Sequence, residues 1–394
     1  MIQSLDNIKK SVNTFPILKI YLNNKCVSFS AGCVSRFMDN WQEITSDRDI
    51  LTTAKGATIE FDAPPHYVSQ PHINFSSTEI DVNEIDKLLS KGTIELATHE
   101  HGEVLSSIFI RPKKDGSHRL ILSLKGLNHY VTYHHFKMDT LYSMLKLVEK
   151  DCYMASLDLK DAYYSVAVKP SHRKYLRFMW DNSLYQFTCL PNGLSSCPSK
   201  FTKLLHKKGH VISRYIDDLF LLAKTYDLCV TNVIDTFMQF DSLGFTIHPE
   251  KSVSIPSQRL VLLGFIIDSV AMSITLTPDK AQSVREACLS LMKGTPTIRD
   301  VARVIGKIIS SFPGVMYGPL YYRSLEHDKT SALKLCKGDF DCCMQLSDGS
   351  HGHPSTTLTT DASHTGWGAP YEKTSTGGSW SDHEKSFHIN YLEL

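Results

Sequence analysis

The sequence has 394 residues, 42% hydrophobic and 21% charged, a balance that excludes a disordered or fibrous chain and leaves room for two or three domains. Lysine and arginine number 42 against 41 acids, so the net charge of +1 favours no partner class, and any surface for a polyanion must be local. No apolar run reaches the ~18 residues of a membrane helix, which excludes a helical span, and the first residues do not read as a secretory signal.

Residues 1–76 mix polar stretches with short apolar patches and are expected to form an N-terminal extension. A helix is predicted from Ser77 to Gly92, with Ile80, Val82, Ile85, Leu88 and Leu89 at roughly helical spacing and the glycine at its end. Leu105–Pro112 and Arg119–Leu124 read as paired strands around the turn Lys114-Asp115-Gly116-Ser117. Arg111, Lys113, Lys114, Arg119 and Lys125 face a single acid, Asp115, in this stretch. A basic hairpin serves either as a solvated edge that resists aggregation or as a phosphate-binding finger.

A helix is predicted over 137–151, a strand over 152–159, and a strand pair around Asp181-Asn182. A Pro/Gly/Ser loop leads to a short helix at 198–207, then to a hairpin at 211–223 and a helix at 227–243. Residues 259–276 read as β-structure, 278–293 and 297–311 as helices, and 326–356 as a linker. A new apolar and turn rhythm begins at 357. The ten cysteines hold no C-x-x-C pair and read as free, mostly buried thiols of a reducing compartment.

The segment Val211 to Ala223 sets two adjacent carboxylates, Asp217 and Asp218, between two apolar β runs. In one continuous strand they would face opposite sides, and a buried unpaired acid costs several kcal/mol. A hairpin tip removes that conflict, and by itself such a pair is equally a solvent-exposed turn. A second apolar strand ends on an acid in Ser156-Leu157-Asp158-Leu159. If the two strands are neighbours, three carboxylates gather as hard oxygen ligands suited to Mg²⁺. Two such ions about 4 Å apart clamp the attacking and leaving oxygens of an in-line phosphoryl transfer.

In order, these segments resemble the palm motifs of a reverse transcriptase: Leu157-Asp158-Leu159 with Ala162-Tyr163, then Leu190-Pro191-Asn192-Gly193, then Tyr215-Ile216-Asp217-Asp218. The resemblance runs over about residues 77–394 and is greatest to the tyrosine-recombinase (DIRS-like) retrotransposons. It implies an α+β right-hand polymerase: fingers and palm over 77–270, thumb-like helices over 271–325, a linker over 326–356, and a truncated RNase H-like β/α unit over 357–394. It implies RNA-directed DNA polymerase activity with a primed RNA or DNA template, deoxynucleoside triphosphates and two Mg²⁺ ions, Mn²⁺ being the alternative. An intracellular location follows, cytoplasmic or nuclear, with no membrane partner; the oligomeric state stays open.

By the same resemblance, Asp158, Asp217 and Asp218 are the catalytic metal ligands, with the Leu159 carbonyl beside them. Tyr163 lies under the incoming sugar; Asn192 and Gly193 pack against nucleotide and template. Lys113 and Arg119 meet the triphosphate, and Lys251 in His248-Pro249-Glu250-Lys251 donates a proton to pyrophosphate. Leu263-Gly264-Phe265 falls at the primer grip. Lys280, Arg285, Lys293, Arg299, Arg303 and Lys307 either follow the duplex backbone or form a solvated helix face. Asp361 and Glu393 match the first two RNase H carboxylates, and with the others missing no RNase H activity is expected.

One departure defines the alternative. The helix after Gly193 is short, about 15 Å at about 1.5 Å per residue, before the chain turns into the Asp-Asp hairpin. The alternative is therefore an inactive, partly deleted retroelement remnant that at most binds nucleic acid. A nucleotide cyclase, which also uses strand-end carboxylates, is a third reading; Leu190-Pro191-Asn192-Gly193 and the RNase H-like start argue against it.

Overall fold

The computed structural model describes residues 29–65, 79–112, 116, 118–136, 138–205, 213–215, 218–315, 322–346, 361–362, 366–371 and 374–379. The chain divides into two compact units, one running to Leu263 with Ile267–Ser273, the other comprising Gly264–Ile266 and the residues from Ile274 onward.

Among the described residues, the first α-helices of this unit are α1 (Met38–Ile44) and α2 (Arg48–Gly56), the latter capped by Asp47, whose carboxylate accepts from the Asp49 and Ile50 amides. Helix α3 (Glu79–Ser90) follows and buries Ile85 and Leu88, whereas Val82 and Leu89 stay exposed, so its core face is narrower than the sequence predicts. Strand β1 (Ile94–Leu96) leads to the hairpin β2 (Ile108–Pro112) and β3 (His118–Leu122). Then come the short helices α4 (Lys125–Asn128) and α5 (Leu141–Leu145). The helix expected over 137–151 is thus a single capped turn. Thr140 and Ser143 form a capping box, and the chain leaves helical geometry before Asp151, whose φ of 61° no helix accommodates.

Strand β4 (Tyr153–Asp158) is buried along its middle. The hairpin β5 (Arg177–Trp180) and β6 (Ser183–Phe187) turns through Asp181 and Asn182, both at positive φ, 45° and 56°, as a tight two-residue turn requires. Helix α6 (Cys197–Leu205) buries Cys197, Phe201, Leu204 and Leu205. Strands β7 (Ser213–Tyr215) and β8 (Asp218–Ala223) precede helix α7 (Tyr226–Ser242), and β9 (Val253–Ser257) follows it. Sheet β7-β8-β4-β9 is antiparallel, and α7 packs against β4, β8 and β9. The helix forms because Cys229, Val233, Thr236, Phe237 and Phe240 recur on one buried stripe behind the Thr225 cap. It ends where Gly244, at φ +87°, lets the Phe245 amide reach back to the Phe240 carbonyl.

Residues 29–65, expected as part of an extension, are built into this unit's core. Trp41, Ile50, Ala54, Ala57 and Ile59 are buried in the same cluster as the central strands. Asn40 Nδ2 donates to the Ser242 carbonyl (2.6 Å) and Trp41 Nε1 to that of Leu243 (3.2 Å), satisfying carbonyls that the end of α7 leaves without helical partners. A buried ion cluster ties β5 to the loop after β1. Arg177 donates to Glu103 (2.6 Å), Glu100 (3.1 Å) and Gln186 (3.0 Å), and His99 Nδ1 lies 2.6 Å from Glu103. Burial pushes the Glu103 carboxyl up, but the hydrogen bonds from His99 and Arg177 outweigh it and hold the group below the usual range.

Strands β10 (Arg259–Leu262), β11 (Phe265–Asp268) and β12 (Ser273–Leu276) form a three-stranded sheet through which the division between units passes. In the second unit, α8 (Pro278–Leu291), α9 (Ile298–Ile309) and α10 (Arg323–Leu335) surround Leu291, Val301, Val304, Ile305 and Met344. The expected 326–356 linker is corrected over 326–346, because α10 and Met344 belong to this core; residues 347–356 lie outside the described residues. The polar character of α10 hides it in the sequence: Leu325, Ala332, Leu333 and, just past its end, Cys336 pack on the cluster, Leu335 is exposed, and the other positions are polar or charged. Strands β13 (Asp361–Ala362), β14 (Gly366–Tyr371) and β15 (Thr374–Ser379) pair as an antiparallel meander.

Nine described cysteines are all free, and four of them are buried. Burial pushes the Cys229 thiol up to about 12, which leaves it inert at neutral pH. Among the described residues no helix is long and apolar enough to cross a membrane.

Candidate active site

The β4–β8 register sets Asp158 directly opposite Asp218. The Asp158 amide donates to Ser252 Oγ (3.0 Å) and its carbonyl accepts from the His248 amide (2.7 Å), so both backbone groups point away from β8. Asp158 and Asp218 therefore form a non-hydrogen-bonded cross-strand pair, the arrangement in which facing Cα atoms approach to about 4.5 Å and side chains are closest. Two like charges so placed disfavour each other, and a divalent cation between them reverses the sign of that interaction. The donor set is all carboxylate, the hard oxygen chemistry of Mg²⁺ or Mn²⁺, so the residues fit such an ion.

Strands β7 and β8 close through Tyr215↔Asp218, with Ile216 and Asp217 between them. Asp217, the third acid of the expected set, lies outside the described residues, as do Lys113 and Glu393. Among the described residues no three acids, histidines or cysteines gather as a metal site. Leu159 is buried and forms a bridge with Ile247. Lys251 is exposed in the turn just before Ser252, the residue that meets the Asp158 amide. Asp361 lies in the second unit, where its backbone pairs with Gly368.

Beyond β4 the chain passes Asp161, at φ 50° and paired with Lys91 at 2.6 Å, into a 3-10 turn over Ala162–Ser165. Tyr163 on this turn is half-buried, its ring edge-on to Phe201 with centroids 5.3 Å apart. Tyr164 is buried, which pushes its hydroxyl up, and it accepts from Asn192 Nδ2 at 3.4 Å. Asn192 is thereby tied to the turn that bears Tyr163. Gly193, at φ +100°, is exposed, and a methyl in place of its hydrogen would lie 3.3 Å from the Leu122 carbonyl at the end of β3. Asn128 clamps this loop, donating to the Gly193 carbonyl (2.8 Å) and accepting from the Ser195 amide (2.9 Å).

Arg119 is exposed on β3 directly opposite Arg111 on β2. Arg111 also lies over the Phe109 ring, 5.5 Å from its centroid. Two guanidinium groups in one cross-strand register repel, and an anion between them would relieve that repulsion. In the second unit Lys280 lies 3.8 Å from the Phe265 ring centroid, beside Gly264. Burial lowers its pKa. Arg303 bonds Asp300 on its own helix and Lys307 bonds Ser283 on α8, so these two cations are engaged within the second unit.

Sequence patterns single out the acids, Tyr163 and the Asn192-Gly193 turn. They do not single out Ser252, His248 or Asn128, which act through backbone atoms of residues distant in the chain. Only a polar residue beside the Asp158 strand end or the Asn192 turn, visible once the strands are paired, would reveal them.

The family described as Reverse transcriptase (RNA-dependent DNA polymerase) matches residues 111–267. The chain is 24% identical over 306 residues to the retrovirus-related Pol polyprotein from transposon opus of Drosophila melanogaster. That match covers 76% of this chain and 30% of the relative, so the chain spans under a third of that protein's length. The foamy viral protease-reverse transcriptase in complex with double-stranded DNA is similar at a TM-score of 0.58 and 16% identity, over 93% of this chain and 71% of that one. The same viral protein in complex with an RNA/DNA hybrid gives 0.57 and 16% identity, over 91% and 54%. At such identity the likeness concerns the fold, which is that of a polymerase. Asp158 and Asp218, in register on β4 and β8, lie within the matched segment, and residues 111–267 match a reverse transcriptase domain like that of retrotransposon and retroviral polyproteins.

Proposed function

We infer that this chain is an RNA-directed DNA polymerase that adds deoxynucleotides to a primer 3′-hydroxyl during retrotransposon replication. The observation that carries the reading is the direct opposition of Asp158 and Asp218 on neighbouring strands, beside a hairpin tip that holds Asp217 in sequence. These three acids would hold two Mg²⁺ ions, with Mn²⁺ as the alternative, and the Leu159 carbonyl would face one of them. Bound there, the ions would lower the charge barrier between the primer hydroxyl and the α-phosphate and neutralise the leaving pyrophosphate.

The protein's own groups do the rest. Arg119, with Lys113 on the same hairpin, binds the triphosphate, where a guanidinium fork matches phosphate geometry. Tyr163, steadied by Phe201, fills the space under the sugar and excludes a 2′-hydroxyl. Asn192 and Gly193 border the base pair, and the left-handed glycine lets backbone approach closely. Lys251 protonates the pyrophosphate. The template-primer duplex lies along the helices that carry Lys280 and Arg285, as expected for a thumb over 271–325. The meander over 357–394 reads as an RNase H-like start bearing Asp361 and Glu393. The ordered motifs favour the tyrosine-recombinase (DIRS-like) group, and the site of action is intracellular, in cytoplasm or nucleus.

The test is Mg²⁺-dependent extension of oligo(dT) on poly(rA) by the full chain, beside Asp217→Asn. Extension that the substitution abolishes supports the reading. A folded chain that extends no primed template under Mg²⁺ or Mn²⁺ contradicts it and returns the inactive-remnant alternative.

A further inference from the structure

We propose that Ser252 is a positioning residue that holds the Asp158 carboxylate in its metal-binding register; the proposal rests on the polymerase reading above. Strand β9 pairs with β4 through Met154↔Ser257 and Ser156↔Val253, with a bulge between them. Continued by two residues, the ladder would set Lys251 opposite Asp158. The chain instead turns through Pro249–Lys251, and at this point the Asp158 amide meets a side chain rather than a β9 carbonyl. A buried or half-buried amide without an acceptor is costly, so another group must meet it.

The Ser252 side chain does so. Its Oγ accepts the Asp158 amide at 3.0 Å and donates its one proton to the His248 carbonyl at 2.7 Å. The His248 amide in turn donates to the Asp158 carbonyl at 2.7 Å, and the Ser252 amide donates to the His248 carbonyl at 3.1 Å. The four bonds close a ring around Asp158. Two residues further on, the Lys160 amide donates to the Thr246 carbonyl at 2.8 Å. Both peptide groups flanking the Asp158 Cα are therefore fixed, and the direction of its Cα–Cβ bond toward Asp218 is fixed with them. A hydroxyl is required, because no apolar side chain accepts from one partner and donates to the other. Since Lys251 is bonded directly to Ser252, the same ring sets where the proton-donor candidate leaves the backbone.

The experiment compares the full chain with Ser252→Ala and Ser252→Thr. It measures Mn²⁺ binding by electron paramagnetic resonance, the Mg²⁺ concentration for half-maximal primer extension, and the thermal midpoint. Loss of one hydrogen bond of ordinary strength predicts that alanine weakens Mn²⁺ binding about three- to tenfold and raises the half-maximal Mg²⁺ by a similar factor. Threonine restores both to within about twofold, because it keeps the hydroxyl. If alanine unfolds the chain, Ser252→Cys, similar in volume but a weak acceptor, must show the same loss in Mn²⁺ binding. Unchanged Mn²⁺ binding in a folded Ser252→Ala or Ser252→Cys chain overturns the proposal, and so does equal impairment by alanine and threonine. Mn²⁺ binding that responds to Ser252 in a chain that extends no primer would sink the polymerase reading while supporting the positioning role.

Discussion

Replacing Trp41 by alanine tests whether the residues before the expected fingers are part of the polymerase fold. Trp41 is 1% exposed, its ring sits edge-on to Phe245 at 6.3 Å, and its Nε1 donates to the Leu243 carbonyl at the end of α7. Truncating a buried tryptophan costs about 3–5 kcal/mol, and the lost hydrogen bond adds about 1 kcal/mol. A total near 5 kcal/mol is a large share of the ~5–15 kcal/mol that holds a domain folded. At about 2–4 °C per kcal/mol for a unit of this size, the melting midpoint should fall by roughly 10–20 °C. Urea unfolding followed by circular dichroism gives the free energy directly. Trp41→Phe, which keeps most of the ring and loses the N–H, should cost about 1–2 kcal/mol. Leu335→Ala, at a side chain 84% exposed in the other unit, should change stability by less than about 0.5 kcal/mol. A Trp41→Ala chain within about 1 kcal/mol of the parent would refute the reasoning and make these residues an appended extension.

Gly244→Ala should destabilise the first unit by about 1–3 kcal/mol in the same urea assay, because the residue sits at φ +87° and its new methyl would lie 2.6 Å from the Phe37 ring. Unchanged stability would mean that α7 does not end as described. The depressed pKa of Glu103 means that the folded state keeps this carboxylate ionised where the unfolded chain has begun to bind a proton. Its contribution is complete above the ordinary glutamate value of about 4.3 and is lost as pH falls through the lower folded value. Stability measured from pH 6 down to pH 3 should therefore fall less steeply in Glu103→Gln than in the parent; equal slopes would contradict the assigned cause.

The local parts of this fold are legible in the sequence because their causes are local. The stripe Cys229, Val233, Phe237, Phe240 announces α7, and Asp181-Asn182 announces a hairpin because both residues tolerate positive φ. The adjacent acids at 217 and 218 require a strand end, and a strand does begin at Asp218. Relations between distant segments are less legible. That Asp158 faces Asp218 follows only once β4 and β8 pair across some sixty residues. The seating of α1 on the end of α7 depends on Asn40 and Trp41 finding carbonyls two hundred residues away. Helix α10 escapes notice because only four small or aliphatic positions mark its inner face. The one-turn α5 is overestimated because the pattern of helix-forming residues runs on to 151, whereas the helix ends at Leu145, before the chain reaches Asp151 at positive φ. Ser252 is invisible for a related reason, since a serine after a lysine carries no pattern until a broken ladder leaves an amide for it to meet.

On the proposed function, the facing acids of β4 and β8 are the chemical centre of a polymerase. Single-turnover incorporation of one deoxynucleotide on a DNA-primed RNA template, under Mg²⁺, addresses it directly. Incorporation by the full chain is expected, with a loss of about 100-fold or more in Asp158→Asn and in Asp218→Asn, the several kcal/mol expected when a ligand to the catalytic ions is removed. Rates in the two variants equal to that of the parent, or no incorporation by a folded parent chain, would contradict it.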